Sequence, residues 1–357
     1  MPTHPPGAPD HARFGDRVAT GVVEVRHGRD AVSGLDQAGF WVVVATFEGE
    51  VTAVRFERVD EASPEVVPEA TSPGGAAWAP LDGEWTTSLD HAAYVRAVEQ
   101  TRERIAAGEV YQANICRVLR HPLAQEADLD DLAHLLRARH RAPYASRIRV
   151  VSAGLDVVSA SPELFLRRAG RRLVSSPIKG TATVAEAMLS KDHAENVMIV
   201  DLVRNDFSRV CEPGSVDVEA LCRPQEHPGL VHLVSTVSGR LSAEVGWAQI
   251  LAATFPPASV SGTPKSSALR VIRDLEPVPR GPYCGAIGWV DADRGEAELA
   301  VGIRTFWVED DERGRDLCFG TGAGLTWGSD PQGEWAETQL KADTLVGLAS
   351  GLSPVTG

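Results

Sequence analysis

The distribution of strand-like runs constrains this fold most. Apolar or alternating stretches recur along the chain: FWVVVATF from Phe40, then VTAVRFE after a turn at Glu48-Gly49-Glu50, and GEVYQANICRVL from Gly108. Further runs are Ile148–Ser159, Glu163–Arg168, Arg172–Ser175, LVHLVSTVSG from Leu230, Gly285–Val290, Ala297–Val308 and Asp316–Thr326. Period-two alternation and β-branched content mark these as strands. Helical periodicity is confined to Leu89–Ala107, Leu129–Arg139, 191–207, Val245–Ala253 and Glu334–Leu348. Ser88 is the candidate N-cap of the first helix and Gly108 its stop. No regular strand–helix–strand rhythm links the two sets, so the pattern predicts an α+β fold rather than a doubly wound sheet.

Residues 1–12 are proline-rich and read as a mobile terminus. A short β region is expected over 13–59, a Pro/Ala/Gly-rich linker over 60–85, and one catalytic domain over 86–350. The formal charge of −14 argues against a nucleic-acid partner, which needs a basic footprint. An anionic ligand would need a local cationic pocket or a metal. The five cysteines are scattered and odd in number, which suggests reduced thiols in a cytoplasm. The first residues lack the pattern of a signal peptide, and no apolar run is long enough to span a bilayer.

Several residues look out of place. In SSPIKGTA (175–182), Lys179 sits between proline and glycine on what reads as a tight turn. It is either a solvated turn lysine or one held to a fixed position. In KDHAENVMIVDLVRND, Glu195 falls on the stripe of Met198, Ile199 and Leu202, where a carboxylate needs compensation. In GEWAETQLKADTLVGL, Glu337 shares a face with Leu340, Lys341, Thr344 and Leu345. Two such carboxylates facing each other would suit Mg²⁺, while ordinary pairing with a neighbouring Lys or Arg remains open for each. Gln112 and Asn114 share one face of their strand and would need partners if buried. FGTGAGLTWG (319–328) allows close backbone approach to an anion, or is simply a glycine-rich turn. Arg304 either points inward to a carboxylate or faces solvent. His232 reads more readily as a core histidine than as a catalyst.

GEVYQANI, SPELF, SPIKGT, KDHAENVMIVDLVRND, HLVSTVSG, TFPPASVSGTPK, YCGAIGW, GIRT and GEWAETQLKA occur in the order found in chorismate-utilising enzymes. Over about 88–349 the chain resembles the aminodeoxychorismate synthase component I branch most closely. It is also similar to anthranilate synthase component I and, more distantly, to isochorismate and salicylate synthases. The resemblance implies an α+β, anthranilate synthase component I-like fold, with two large packed sheets, helices outside and a central active site. It implies Glu195 and Glu337 as Mg²⁺ ligands, the metal holding the ring carboxylate of chorismate. Backbone amides near Ala323 and Gly324, with Lys341, would assist, and Arg304 would clamp the enolpyruvyl carboxylate. Glu163 resembles the general acid for the leaving C4 hydroxyl, and Thr181 and His232 resemble ring-positioning groups. Gln112 stands where hydrolytic members carry a water-activating lysine, so ammonia is the expected nucleophile.

Lys179 stands where anthranilate synthases typically carry alanine. The resemblance implies that it attacks C2, that ammonia then adds at C4, and that Pro177 and Gly180 fix its turn. The expected product is 4-amino-4-deoxychorismate. The alternatives are anthranilate or 2-amino-2-deoxyisochorismate synthesis, and a non-catalytic chorismate-binding regulator. The region before the first catalytic helix is shorter than the family pattern, and no glutamine amidotransferase motif is seen. Ammonia is therefore expected from a separate glutaminase subunit or from solution.

Overall fold

The structure is a computed structural model that describes residues 9–61, 78–182, 188, 190–227, 230–312 and 314–352. Eighteen strands and seven α-helices are found among them, and the strand pairings are antiparallel. The α+β expectation holds. Where two sheets were expected, hydrogen bonds join all 18 strands into one network.

The longest ladder near the site pairs Gln112–Pro122 with Gly314–Leu325, placing Ala323 opposite Ile115 and Gly324 opposite Asn114. A second pairs Ile178–Ala182 with Leu230–Arg240. Toward the N-terminus, His11–Phe14 pairs with both Arg17–His27 and Tyr144–Val150. Of the proline-rich terminus, residues 1–8 lie outside the described residues, as do 62–77 of the expected linker. The rest of that stretch packs down: Trp78 Nε1 donates to Ala349 O at 2.8 Å, and Trp85 Nε1 to Ser350 Oγ at 3.1 Å. Two indole N–H groups find acceptors while their rings bury apolar area, the usual condition for a buried tryptophan.

Two expected strands are in fact broken. Ile148–Ser159 divides into Tyr144–Val150 and Leu155–Ser161, because Gly154 takes φ +65° and turns the chain back. Ala297–Val308 divides into Glu296–Val301 and Thr305–Asp311, with Arg304 itself at φ +52° in the bend. The helix Lys265–Leu275 and the strand Asp217–His227 were not expected from the sequence. The C-terminal helix begins at Pro331, ahead of the expected Glu334. Asp330 caps it, accepting from Gly333 N at 2.7 Å, and proline occupies the first turn, where no N–H is needed. This helix meets His91–Ala106 through the Tyr94 and Trp335 rings, 5.8 Å apart.

Helix Ser190–Ser208 lies on Leu230–Arg240. Its buried stripe is Asn196, Ile199, Val200, Val203 and Phe207, at i, i+3, i+4, i+7 and i+11. Asn196 donates from Nδ2 to Leu233 O at 3.0 Å and accepts from Ser235 Oγ. A fully buried amide so matched fixes the helix in one register on the sheet. Among the described residues no helix is long and apolar enough to cross a membrane.

Candidate active site

The ladder carrying Gln112 and the strand carrying Lys179 converge at Gly324. A β-carbon on Gly324 would stand 2.8 Å from Gln112 Nε2, 3.4 Å from Lys179 Nζ and 3.8 Å from Asn114 Oδ1. A β-carbon here would therefore push the Gln112 amide aside, while backbone φ at this position is ordinary. Gln112 is buried, and its Oε1 has no hydrogen-bond partner among the described residues.

Lys179 does not sit on a tight turn, as the sequence suggested. It lies in the strand Ile178–Ala182, whose register against Leu230–Arg240 slips between Lys179 and Thr181. Gly180 forms that bulge at φ +75°, and a β-carbon there would stand 2.8 Å from Asp192 Cβ. The bulge aims the half-buried lysine, and its Nζ donates to Ser259 O at 3.0 Å. Burial pulls the Lys179 pKa below its ordinary value, and the nearby Lys341 charge acts the same way. Glu195, Glu163 and Glu337 oppose them. The amine is thus within electrostatic reach of four of the expected site residues at once.

Glu163 is 3 % exposed. Its burial pushes the carboxyl pKa up to about 7, against hydrogen bonds from the Ser259 side chain and the Ile178 backbone and the charge of Lys179. A carboxyl so placed can hold a proton near neutrality and release it to a leaving group. Its own N–H donates to Ser161 Oγ at 3.2 Å, and its carbonyl accepts from Val301 N at 3.0 Å.

The two expected metal carboxylates lie on the same side of the molecule, but not as the stripe argument had them. Glu195 is half-buried, one position off the apolar stripe that Asn196 and Ile199 define. Glu337 lies on an open face, beside a Leu340 that is 73 % exposed. It pairs with Lys341 at 2.6 Å, and Lys341 Nζ also donates to Gly322 O at 3.2 Å. The carboxylate on the buried stripe of that helix is Glu334, at 4 % exposure, which the sequence reading passed over. Its i−3 spacing from Glu337 was the available signal. Among the described residues no three His, Cys, Asp or Glu side chains form a ready metal cage. Two hard carboxylates whose charges both reach Lys179 still fit Mg²⁺, which completes its shell with substrate and water.

His232 is buried on Leu230–Arg240, opposite Thr181. Only the backbone of Thr181 is described, and its side chain lies outside the described residues. Arg304 is not an inward residue of a continuous strand. It projects from the bend after Val301, and its Nη1 lies 3.3 Å from His140 Nε2. Burial lowers its pKa, and the burial of His140, with the Arg304 charge beside it, lowers that ring's pKa to about 4 and keeps it neutral. Ser259, which touches both Glu163 and Lys179, was also missed. It lies in the SVSG run, where nothing but three-dimensional proximity marks it.

A family model described as chorismate binding enzyme matches residues 23–347. Anthranilate synthase component 1 of Streptomyces coelicolor is 38 % identical over 274 residues, 73 % of this chain and 52 % of that protein. Aminodeoxychorismate synthase of Streptomyces pristinaespiralis is 38 % identical over 279 residues, 74 % of this chain and 37 % of that one. The chain thus spans about half the length of the first of these curated relatives and less of the second. Anthranilate synthase component I from Streptococcus pneumoniae superposes with a TM-score of 0.78 at 22 % identity, covering 95 % of this chain and 93 % of that one. MenF, the menaquinone-specific isochorismate synthase of Escherichia coli, gives 0.74 at 19 %, covering 95 % and 88 %. Identities that low speak for the fold alone. With the family model matching most of its length, the chain belongs to the chorismate binding enzyme family.

Proposed function

We propose that this chain is an aminodeoxychorismate synthase component I, converting chorismate and ammonia to 4-amino-4-deoxychorismate. The observation that carries the reading is the Lys179 amine, half-buried beside Gln112 and Gly324 and within the field of Glu163, Glu195 and Glu337. Desolvation favours the neutral, nucleophilic amine. Its nitrogen bonds to C2 of the ring as the double bonds shift, and the C4–O bond breaks. The hydroxyl departs as water, taking the proton of Glu163. Ammonia then bonds to C4 and expels the Lys179 nitrogen, which leaves the enolpyruvyl group on the product.

Glu195 and Glu337 would hold Mg²⁺, which would supply a hard cationic partner for the ring carboxylate of chorismate. Arg304 is the proposed clamp for the enolpyruvyl carboxylate, and Ala323, Gly324 and Lys341 line the ring-carboxylate side. Thr181 and His232 are proposed to position the ring. Gln112 cannot take a proton from water, but its amide oxygen can accept a hydrogen bond from an N–H of ammonia and so position it. This choice of nucleophile separates the reading from hydrolysis. Ammonia comes from a separate glutamine amidotransferase component or from solution.

Anthranilate synthesis is the second reading, favoured by the 38 % identity to the Streptomyces coelicolor enzyme. One incubation separates the two. The protein is given chorismate, Mg²⁺ and an ammonium salt, and products are identified by mass spectrometry. The 4-amino product is expected; anthranilate or a 2-amino product supports the second reading, and unchanged chorismate a binding protein.

A further inference from the structure

Glu163 gives up a proton in each turnover of the proposed reaction, yet at 3 % exposure it is sealed from bulk water. A cavity of about 20 Å³ lies against it. That is room for one water molecule, which needs roughly 10–15 Å³ on the same measure. The same cavity is lined by Asp206, 6 % exposed, near the end of helix Ser190–Ser208. Lys265 Nζ stands 2.9 Å from Asp206 Oδ2 and donates to Thr254 O at 3.0 Å. The Lys265 side chain is 26 % exposed and so reaches toward the surface. Asp206 closes the motif LVRND and Lys265 closes SGTPK, and the chemistry above uses neither.

We propose that Asp206 is a proton relay to Glu163, through one water in this cavity, with Lys265 carrying the path to the surface. The inference rests on the 4-amination reading. Ammonia enters neutral, and the new C4 amine leaves as ammonium. The proton lost from Glu163 with the departing water is therefore not recovered from the nucleophile. Glu163 is left as a carboxylate, and one proton from solvent restores it, so that chorismate, ammonia and one proton give the aminated ammonium product and water. Asp206 passes that proton on and is itself reprotonated from the Lys265 side.

The surroundings agree with this assignment. Burial raises the Asp206 pKa against the charge and hydrogen bond of Lys265, the charge of Arg209 and the side chain of Asn205. Glu163 faces Lys179 from Ile178–Ala182 and Ser259 from the loop before Lys265–Leu275. Both residues line one small space, and both carboxyls are biased toward the protonated form. The competing explanation is a purely structural ion pair that ties two helices together beside a dry void.

The test uses the whole protein carrying Asp206→Asn, with chorismate, Mg²⁺ and an ammonium salt, by rapid quench. At pH 6, below its pKa of about 7, Glu163 begins loaded, so the first product per site forms at the unaltered rate. Later turnovers slow by roughly tenfold or more, as loss of an assisted proton transfer requires. The trace shows a burst of one product per site, with KM for chorismate unchanged. Val203→Ile, which adds one methylene to the cavity wall while leaving the Asp206–Lys265 pair, gives the same burst. It decides the matter if the first variant fails to fold. Steady-state rates equal to the unaltered protein, or a first turnover slowed as much as the later ones, overturn the relay. Absence of 4-amino product from the unaltered protein overturns the reaction on which it rests.

Discussion

Replacing Gly324 by alanine probes the centre of the site with one carbon. The added β-carbon would stand 2.8 Å from Gln112 Nε2, whereas ordinary contact begins at 3.4 Å. The shortfall is roughly 0.6 Å, the difference of those two distances. Gln112 is 2 % exposed, in a strand buried on both faces, so the displacement falls on a packed side chain. Lys179 Nζ, at 3.4 Å, is touched without being overlapped. The backbone adds no strain, because φ at 324 lies in the ordinary range. Overpacking of this kind costs about 1–3 kcal/mol of stability. Displacing a positioning group by most of an ångström lowers kcat/KM toward ~10²-fold. Steady-state amination and thermal melting measure the two effects on one sample. Gly328→Ala is the control, since a β-carbon there meets nothing within 4 Å, and it should stay within about 0.5 kcal/mol with full activity. A folded Gly324→Ala protein that aminates at the original rate refutes this packing argument.

Glu163 ties stability to pH. Its folded pKa of about 7 stands above the ordinary 4.5, so the folded state holds the extra proton between those values and stability falls as pH rises through that window. Above it the penalty is roughly 3 kcal/mol, so Glu163→Gln should melt higher than the unaltered protein at pH 8 and no higher at pH 4. The amination rate should fall with a single deprotonation near pH 7, and a rate flat to pH 9 would remove Glu163 as the acid. Glu195→Gln and Glu337→Gln should each weaken Mg²⁺ binding in the presence of chorismate, read by calorimetry, by roughly tenfold or more. Asn196→Ala leaves the Leu233 carbonyl and Ser235 hydroxyl without their amide, at about 1–3 kcal/mol by chemical denaturation.

Strand content, the α+β class and most helices were legible because their signal is local periodicity. The two broken strands were not. A glycine at 154 and an arginine at 304 can each take positive φ, but nothing nearby in sequence says that they do. The lysine at 179 was conspicuous for its frame, yet the frame is a bulge whose partner strand begins about fifty residues later. The two carboxylates were found by a stripe argument whose geometry was off by one helical position at Glu195 and by a whole face at Glu337. Their pairing came from the ordered motifs instead. Ser259 and the cavity joining Glu163 to Asp206 exist only once distant segments meet, so no local pattern could have announced them.

The most direct measurement is the intact mass of the protein after incubation with chorismate and Mg²⁺ without ammonia, followed by peptide mapping. The account predicts a gain equal to chorismate less one water, located on Lys179, absent from Lys179→Ala, and discharged as 4-amino product when ammonia is added. An unmodified protein that nonetheless forms the 4-amino product, or a Lys179→Ala protein that aminates as well as the original, would contradict it.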